Sequence, residues 1–389
     1  MKIAHLIPYL FQSIGGLQVC VHNISERHAR QGIEVQVFCY DARLKSFATA
    51  YSVSRMFNFK GVTRLYPLSR YVIAAYVHRL QQKHHFDIWQ INGGYPFGAL
   101  LIDYFNREKI PCVLRCSGDD IQVNAELDYG VRRNSKINRI IESSYRKFPA
   151  VVAITTTVEK EYRSLGVPPE NIFLIPNGVD VERIAETTDH GVRCRHHIPD
   201  SAAVLLSVGR NHPKKGYDLI PAIMDRLVRQ NLDVFWIVIG HGCSRLRREP
   251  GFAAWRERLV LIDEIGPTRG RRFVIPSGEL LAYYQSADLF AMTSLLETFG
   301  IVVVEAMAAG LPVVCFDAPG VRDILTAELG VVCPMKDTAA FADAVAGFIR
   351  GDAKALLGGA CRRYAARFSW DSIAAAYLSL YHAVAGRGS

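Results

Sequence analysis

The stretch ETFGIVVVEAMAAGLPVV, residues 297–314, places Glu297 and Glu305 eight positions apart in an otherwise almost wholly apolar run. A buried carboxylate costs several kcal/mol unless it is paired or hydrogen-bonded. Gly310-Leu311-Pro312 is a helix stop, with glycine supplying the left-handed cap and proline barring continuation. The pattern predicts a helix from about Phe299 or Gly300 to Ala309, with a strand following at Val313–Phe316. Glu297 then falls in the loop before the helix, and Glu305 lies inside it. The helix start at Phe299, Gly300 and Ile301 offers free N–H groups and the positive dipole end, a ready anion site. The Glu305 carboxylate suits sugar hydroxyls as hydrogen-bond donors. A phosphate at the helix start and a ribose beside Glu305 make one consistent ligand. On these residues alone, a helix-start acid at Glu297 and a partly exposed surface residue at Glu305 are the favoured reading.

Outward from this stretch, short β-rich runs alternate with longer helical patterns. In the first half they are Ile3–Ile7, Glu34–Phe38, Ile88–Ile91, Cys112–Arg115, Val151–Ile154 and Ile172–Ile175. In the second half they are Ala203–Val208, Val234–Ile239, Leu289–Ala291, Val313–Phe316 and Gly330–Cys333. Apolar strands alternating with helices predict parallel sheets covered on both faces. The fold class expected is α/β, with two Rossmann-like domains. The polar, turn-rich PNGVDVERIAETTDHGVRCRHHIPDS reads as the linker between the two series. After Arg367, Ile373, Ala376, Tyr377, Leu380 and Val384 form one face of a last helix, with no strand after it. The domains expected are 1–184, 185–367 and a terminal segment 368–389 that packs on something already built.

Two further loops carry chemistry. SVGRNHPKKGYDL, residues 207–219, follows a strand, so Gly209 to Gly216 lie at a carboxyl strand end, where open α/β sheets bind ligands. Arg210, with a fork of donors, and Lys215, as a point charge, can reach a pyrophosphate; a solvated basic loop is the plain alternative. SIGGLQVCVHNISERHARQG, residues 13–32, sets Gly15 and Gly16 between the first strand and a helix. Glycine lets backbone approach phosphate closely, but the full dinucleotide fingerprint is absent and an ordinary turn is as good a reading.

Half of the 389 residues are hydrophobic, enough for sizeable cores. No run of eighteen apolar residues predicts a spanning helix. The nine cysteines are scattered without paired zinc spacing and read as reduced thiols, with Cys112 and Cys116 as small core residues. The expected location is the cytoplasm. The net charge of +9 is uneven: residues 1–83 hold eleven Lys/Arg against three Asp/Glu, leaving about +1 for the rest. Residues 51–83 mix aromatics with Arg55, Lys60, Arg64, Arg70, Arg79 and Lys83, and Val72, Ile73, Tyr76, Val77 and Leu80 share a helical face. Such a helix can dock on an anionic membrane, here the inner face, and 132–147 is a second basic run that would extend the patch. An ordinary domain helix with a solvated basic face is the alternative. No recognition motif accompanies the charge, so nucleic acid is not an expected partner.

Taken together, these stretches make the chain similar to the retaining glycosyltransferases of family 4, which have the GT-B architecture of two Rossmann-like domains facing across a cleft. ETFGIVVVEAMAAGLPVV resembles the family's E-x7-E region, SVGRNHPKKG its G-R-x4-K-G loop, IPNGVD (175–180) its interdomain motif and IGGLQ its N-terminal glycine loop. They occur in the family's order and span roughly residues 1–330. The resemblance implies that the last helix returns to the N-terminal domain. It implies that Arg210 and Lys215 bind donor phosphates and offset leaving-group charge, beside Gly209. Glu305 would hold ribose hydroxyls and Glu297 would contact the donor sugar. Phe299, Gly300 and Ile301 would present backbone near sugar and phosphate, and Gly15 and Gly16 would close on the pyrophosphate. The sequence departs from the family where relatives carry histidines: Gln90 and Asn92 stand there, and Ser117-Gly118-Asp119-Asp120 replaces H-G-x-D. Asn92 can hydrogen-bond a donor hydroxyl but cannot act as an acid or base. Ser117 and Asp120 are acceptor-side candidates, with turn roles equally open.

The resemblance implies retaining transfer of a hexosyl group from a UDP- or GDP-sugar to the hydroxyl of a glycan or lipid-linked acceptor. Polysaccharide, lipopolysaccharide or glycolipid synthesis would be its setting. It implies no metal and no cofactor beyond the substrate. Two alternatives remain: a nucleotide-sugar-binding partner protein without catalysis, and another GT-B enzyme such as an epimerase. Base contacts are expected from loops near Gly240–Cys243 and Phe273–Ser277.

Overall fold

The structure, a computed structural model, describes residues 1–12, 14–41, 48–59, 68–266 and 273–386. The described chain falls into two compact units. The first takes in described residues of 1–177, 268–275 and 370–389; the second takes in those of 178–267 and 276–369. The sequence reading set its boundary after residue 184, whereas the first stretch of unit 1 ends at Asn177 and unit 2 begins at Gly178.

Unit 1 contains β1 (Lys2–Leu6), α1 (Gly16–Arg30), β2 (Glu34–Cys39), β3 (Ser52–Arg55), α2 (Ser69–His84), β4 (Ile88–Asn92), α3 (Ala99–Arg107), β5 (Cys112–Arg115), α4 (Ser135–Tyr145), β6 (Val151–Ala153), α5 (Thr156–Ser164) and β7 (Ile172–Leu174). Its seven strands are parallel in the order β3-β2-β1-β4-β5-β6-β7. The strands β1, β4 and β5 are buried almost throughout, which their apolar runs require of a sheet covered on both faces.

Unit 2 contains α6 (Val181–Glu186), α7 (Val192–Arg195), β8 (Ala203–Val208), α8 (Ile220–Arg229), β9 (Val234–Ile239), β10 (Leu259–Ile262), α9 (Gly278–Ser286), β11 (Leu289–Met292), α10 (Ile301–Ala308), β12 (Val313–Phe316), β13 (Gly330–Cys333), α11 (Thr338–Arg350) and α12 (Ala353–Ala365). Its six strands, also parallel, run β10-β9-β8-β11-β12-β13. Trp236 and Phe341 stack in the core formed by β9 and α11. Full burial of each such side chain contributes about 1.5–3 kcal/mol.

The last helix, α13 (Trp370–Gly386), belongs to unit 1. Trp370, Ile373, Tyr377, Leu380 and Val384 are buried. Arg27 of α1 donates to Asp371 at 2.9 Å, and His28 Nε2 lies 2.8 Å from the Ala374 carbonyl oxygen.

Three sequence expectations change. Residues 176–201 are not a plain linker: they form α6 and α7, built into unit 2 by Arg193 donating to Asp288 at 2.7 Å and by the His196–Tyr283 hydrogen bond at 2.9 Å. Phe273 belongs to unit 1, its ring edge-on to Phe11 and His22 at 4.7 Å, so it is committed to packing rather than to a base. In the second basic run, Arg132 pairs with Glu161, Arg133 with Asp128 and Lys147 with Asp103, so much of its charge is neutralised. All nine cysteines are unpaired, and all except Cys194 are buried.

Candidate functional site

In an open parallel sheet, ligands bind beyond the carboxyl ends of the strands, where the strand order reverses. In unit 2 that point lies between β8 and β11. The loops leaving these two strands are 209–216 and 293–300, the two regions singled out from the sequence. They are joined by two hydrogen bonds: Leu295 N–H donates to the Lys214 carbonyl at 2.7 Å and the Thr293 hydroxyl to the Lys215 carbonyl at 2.8 Å. Gly209 leaves room for the Lys215 side chain, which a larger residue would have to displace. A Cβ there would stand 2.7 Å from Lys215 Cε and 2.9 Å from Nζ.

Lys215 Nζ donates to Glu297 Oε1 at 2.6 Å, and Ser294 Oγ donates to the same oxygen at 3.0 Å. Both charged residues are buried, with Glu297 only 7% exposed. Burial pushes the Glu297 carboxyl up, but the Lys215 and Lys214 charges and the two hydrogen bonds outweigh it and hold its pKa below the ordinary value. Arg210 is exposed at the start of its loop. His212 accepts from the Lys214 N–H at 3.2 Å and is driven toward its neutral form by burial and by Arg210, Lys214 and Lys215. Lys215 and Lys214 thus act together on one buried carboxylate.

The helix α10 starts at Ile301 after Gly300, whose φ of +83° suits only glycine well. Phe299 is buried with its ring on Phe368, so only its backbone can face a ligand. Glu305 lies within α10 and is 4% exposed, which removes the surface-residue reading. Tyr284 of α9 donates to Glu305 Oε2 at 2.8 Å. Among the described residues no hydrogen-bond partner meets Oε1. Burial raises the Glu305 pKa to about 7, against the opposing effects of the Tyr284 hydrogen bond and the Arg183 charge.

In unit 1 the order reverses between β1 and β4. Gly15 and Gly16 follow β1; Gly15 caps α1, with its N–H donating to Gln18 Oε1 at 3.1 Å. Asn92 ends β4 but is fully buried, accepting from Gln90 Nε2 at 2.7 Å. Its amide nitrogen lies 3.4 Å from both His5 Nδ1 and the Leu6 carbonyl oxygen. Asp120 accepts from the N–H groups of Ser117 and Gly118 at 3.0 Å and of Gly94 at 2.8 Å. Both Asp120 oxygens therefore serve loop structure.

The sequence reading missed Tyr284, Ser294, His212 and Arg183. Ser294 and His212 lie within the motif loops and were within reach of a fuller reading. Tyr284 and Arg183 become visible only through tertiary packing.

Two family models match. One, described as Glycosyltransferase Family 4, covers residues 14–183, and the other, Glycosyl transferases group 1, covers residues 192–357. The chain belongs to glycosyltransferase family 4. Among curated relatives of this family 4 chain, a D-inositol 3-phosphate glycosyltransferase of Geodermatophilus obscurus is 29% identical over 398 residues, 94% of this chain and 85% of the relative. One of Saccharomonospora viridis is 30% identical over 59% of this chain and 54% of its own length, so that match spans about half of the relative. Sucrose-phosphate synthase of Thermosynechococcus elongatus shares the fold with a TM-score of 0.78, 19% identity and 98% coverage of both chains. Anabaena HepE, solved with UDP, does so with a TM-score of 0.76, 18% identity and coverage of 98% of this chain and 100% of its own. These GT-B neighbours and the two parallel sheets agree on an α/β, GT-B fold.

Proposed function

We propose that this family 4 glycosyltransferase moves a hexosyl group from a UDP- or GDP-sugar to an acceptor hydroxyl with retention of configuration and without a metal. The observation that carries this reading is the β8/β11 switch point. Arg210, Lys215 and the start of α10 offer positive potential for a diphosphate beside Glu305, whose open oxygen suits a ribose hydroxyl. The acceptor oxygen forms its bond to the anomeric carbon as the bond to the diphosphate breaks, on the same face. The acceptor proton passes to the departing phosphate oxygen. Arg210, Lys215 and the helix N-terminus stabilise the negative charge gathering on the leaving group. Among the described residues no three His, Cys, Asp or Glu side chains group to hold a metal.

We further propose a glycan or lipid-linked acceptor, in polysaccharide, lipopolysaccharide or glycolipid synthesis, reached from an anionic membrane surface. Exposed Phe57, Leu68, Tyr71 and Val72 in the same segment as exposed Arg55 and Arg79 support that docking. Lys60 and Arg64 of that segment lie outside the described residues. Ile73 and Val77 are buried within unit 1, so only part of the expected helical face is available. Among the described residues no helix is long and apolar enough to cross a membrane.

A second reading, donor binding without turnover, is favoured by Gln90 and Asn92, which stand at the relatives' histidine positions and are bonded to each other. The test is release of nucleoside diphosphate from UDP- and GDP-sugars with a pool of lipid and glycan acceptors, with and without EDTA, and NMR of the product's anomeric centre. Acceptor-dependent release insensitive to EDTA, with a retained anomer, is expected. Donor binding without release would leave the second reading, and an inverted product would overturn the stereochemistry.

A further inference from the structure

Two adjacent tyrosines on α9 point to different partners. Tyr283 OH is bonded to His196, within the packing of α7. Tyr284 is fully buried, lies near-parallel to Phe290 of β11 at 6.0 Å, and donates to Glu305 Oε2 at 2.8 Å. A buried tyrosine hydroxyl needs an acceptor, and a backbone carbonyl would serve at less cost than a carboxylate. The elements around α10 are fixed to one another: Gln285 Nε2 of α9 donates to the Ile184 carbonyl of α6 at 2.6 Å. Nearby, Arg183 of α6 places Nη2 in the interior with no hydrogen-bond partner among the described residues, while its Nε donates to Asp180 at 3.2 Å.

A carboxylate on a helix has freedom about its terminal torsion, broad for glutamate χ3. A vicinal diol is held well only if the oxygen it meets is fixed in place. We propose that Tyr284 is a positioning residue for nucleotide recognition: its hydroxyl fixes Glu305 Oε2 and so presents Oε1 to the ribose hydroxyls of a nucleoside diphosphate. The inference rests on the proposed donor site and adds to it the group that orients the ribose acceptor.

The same hydrogen bond favours the ionised carboxylate. The charged or titratable groups around Glu305 are Tyr284 from α9 and Arg183 from α6; Arg362 of α12 reaches the far end of α10, 3.4 Å from the Ala309 carbonyl oxygen, and Cys315 lies on the adjoining β12. Nucleotide affinity should therefore fall as pH drops through about 7. Removing the hydroxyl should move that midpoint upward, because the charged form loses a donor.

The experiment measures binding of UDP, GDP and ADP, each beside its 2′-deoxy counterpart, from pH 5.5 to 9 by calorimetry. The proteins are wild type, Glu305→Gln, Tyr284→Phe and a full chain with 3-fluorotyrosine at 284, a stronger donor of nearly the same shape. Expected are a ribose preference in wild type, its loss in Glu305→Gln, and a several-fold reduction in Tyr284→Phe with an upward shift of the pH midpoint. The fluorinated residue should shift the midpoint downward, which keeps the test open if Tyr284→Phe folds poorly. Loss of preference in Glu305→Gln with neither position-284 variant moving the ratio or the midpoint would overturn the role of Tyr284 alone. An unchanged preference in Glu305→Gln, or no binding by wild type, would overturn the donor-site reading beneath it.

Discussion

Asp120 and Glu305 are both buried carboxylates, one in each unit, and both stood out in the sequence as candidate site acids. Their surroundings differ in one respect that decides their roles. Asp120 receives three backbone N–H groups across its two oxygens and ties the turn after β5 to the start of the loop after β4. Glu305 receives one hydroxyl on one oxygen. An ionised carboxylate has about four acceptor sites, so Asp120 is close to saturated while Glu305 has capacity left for a ligand. The lone-pair account separates scaffold from site where residue type and burial do not.

The largest expected effect in unit 2 is at the Lys215–Glu297 ion pair. Lys215→Ala leaves Glu297 buried without its cation, which should cost about 3–5 kcal/mol of stability in urea unfolding. The same change should lower nucleoside diphosphate release about 10²–10³-fold. Next, Asp120→Ala strands three backbone N–H groups and should cost about 2–4 kcal/mol, with nucleotide affinity unchanged in the folded protein. Weaker nucleotide binding there would put Asp120 in the site and collapse the distinction. Glu305→Gln should weaken nucleotide binding about 10–100-fold, the loss of charge-assisted hydrogen bonds, while raising the melting temperature at pH 8.

The smallest effect is a pH dependence of opposite sign in the two units. Glu305 titrates near 7 in the folded chain against 4.5 as the ordinary value, so its contribution favours folding at low pH and is lost as pH rises from 4.5 through about 7. His5 in unit 1 is held at about 3, by burial first and then by the His28 and Arg115 charges. The unfolded chain protonates His5 first, so unit 1 loses stability as pH falls from 6.5 toward 3. Hydrogen exchange resolved by peptide between pH 5 and 7 should show the opposing trends, about 1–3 kcal/mol each. Glu305→Gln should abolish the one in unit 2.

The central strands were legible because they are buried on both faces and read as unbroken apolar runs. Of the four edge strands, β7 and β13 were read from the sequence, whereas β3 and β10 were not. β3 is Ser-Val-Ser-Arg with no fully buried residue, and β10 is a four-residue run beside arginines; each is defined by pairing to one neighbour. The stretch 176–201 looked like a linker because α6 and α7 are too short to show a helical period. Glu297, Lys215 and Glu305 were legible through motif spacing, and the structure brings Lys215 and Glu297 into contact across 82 residues of sequence. Tyr284 was not, because nothing in a helix bearing two successive tyrosines says which one meets a carboxylate. Asn92 was read as a ligand contact from its position, yet its side chain is engaged inside the sheet.

The most direct measurement is a thermal-shift comparison of wild type, Glu305→Gln, Arg210→Ala and Asp120→Asn with UDP, GDP, ADP and their sugar conjugates. A ligand at a hundred times its Kd stabilises a folded protein by about 2.7 kcal/mol, well within reach of the method. The account predicts that one nucleotide stabilises wild type and Asp120→Asn alike, and that it does so far less in Glu305→Gln and Arg210→Ala. Equal stabilisation of all four proteins, or of none, would contradict it.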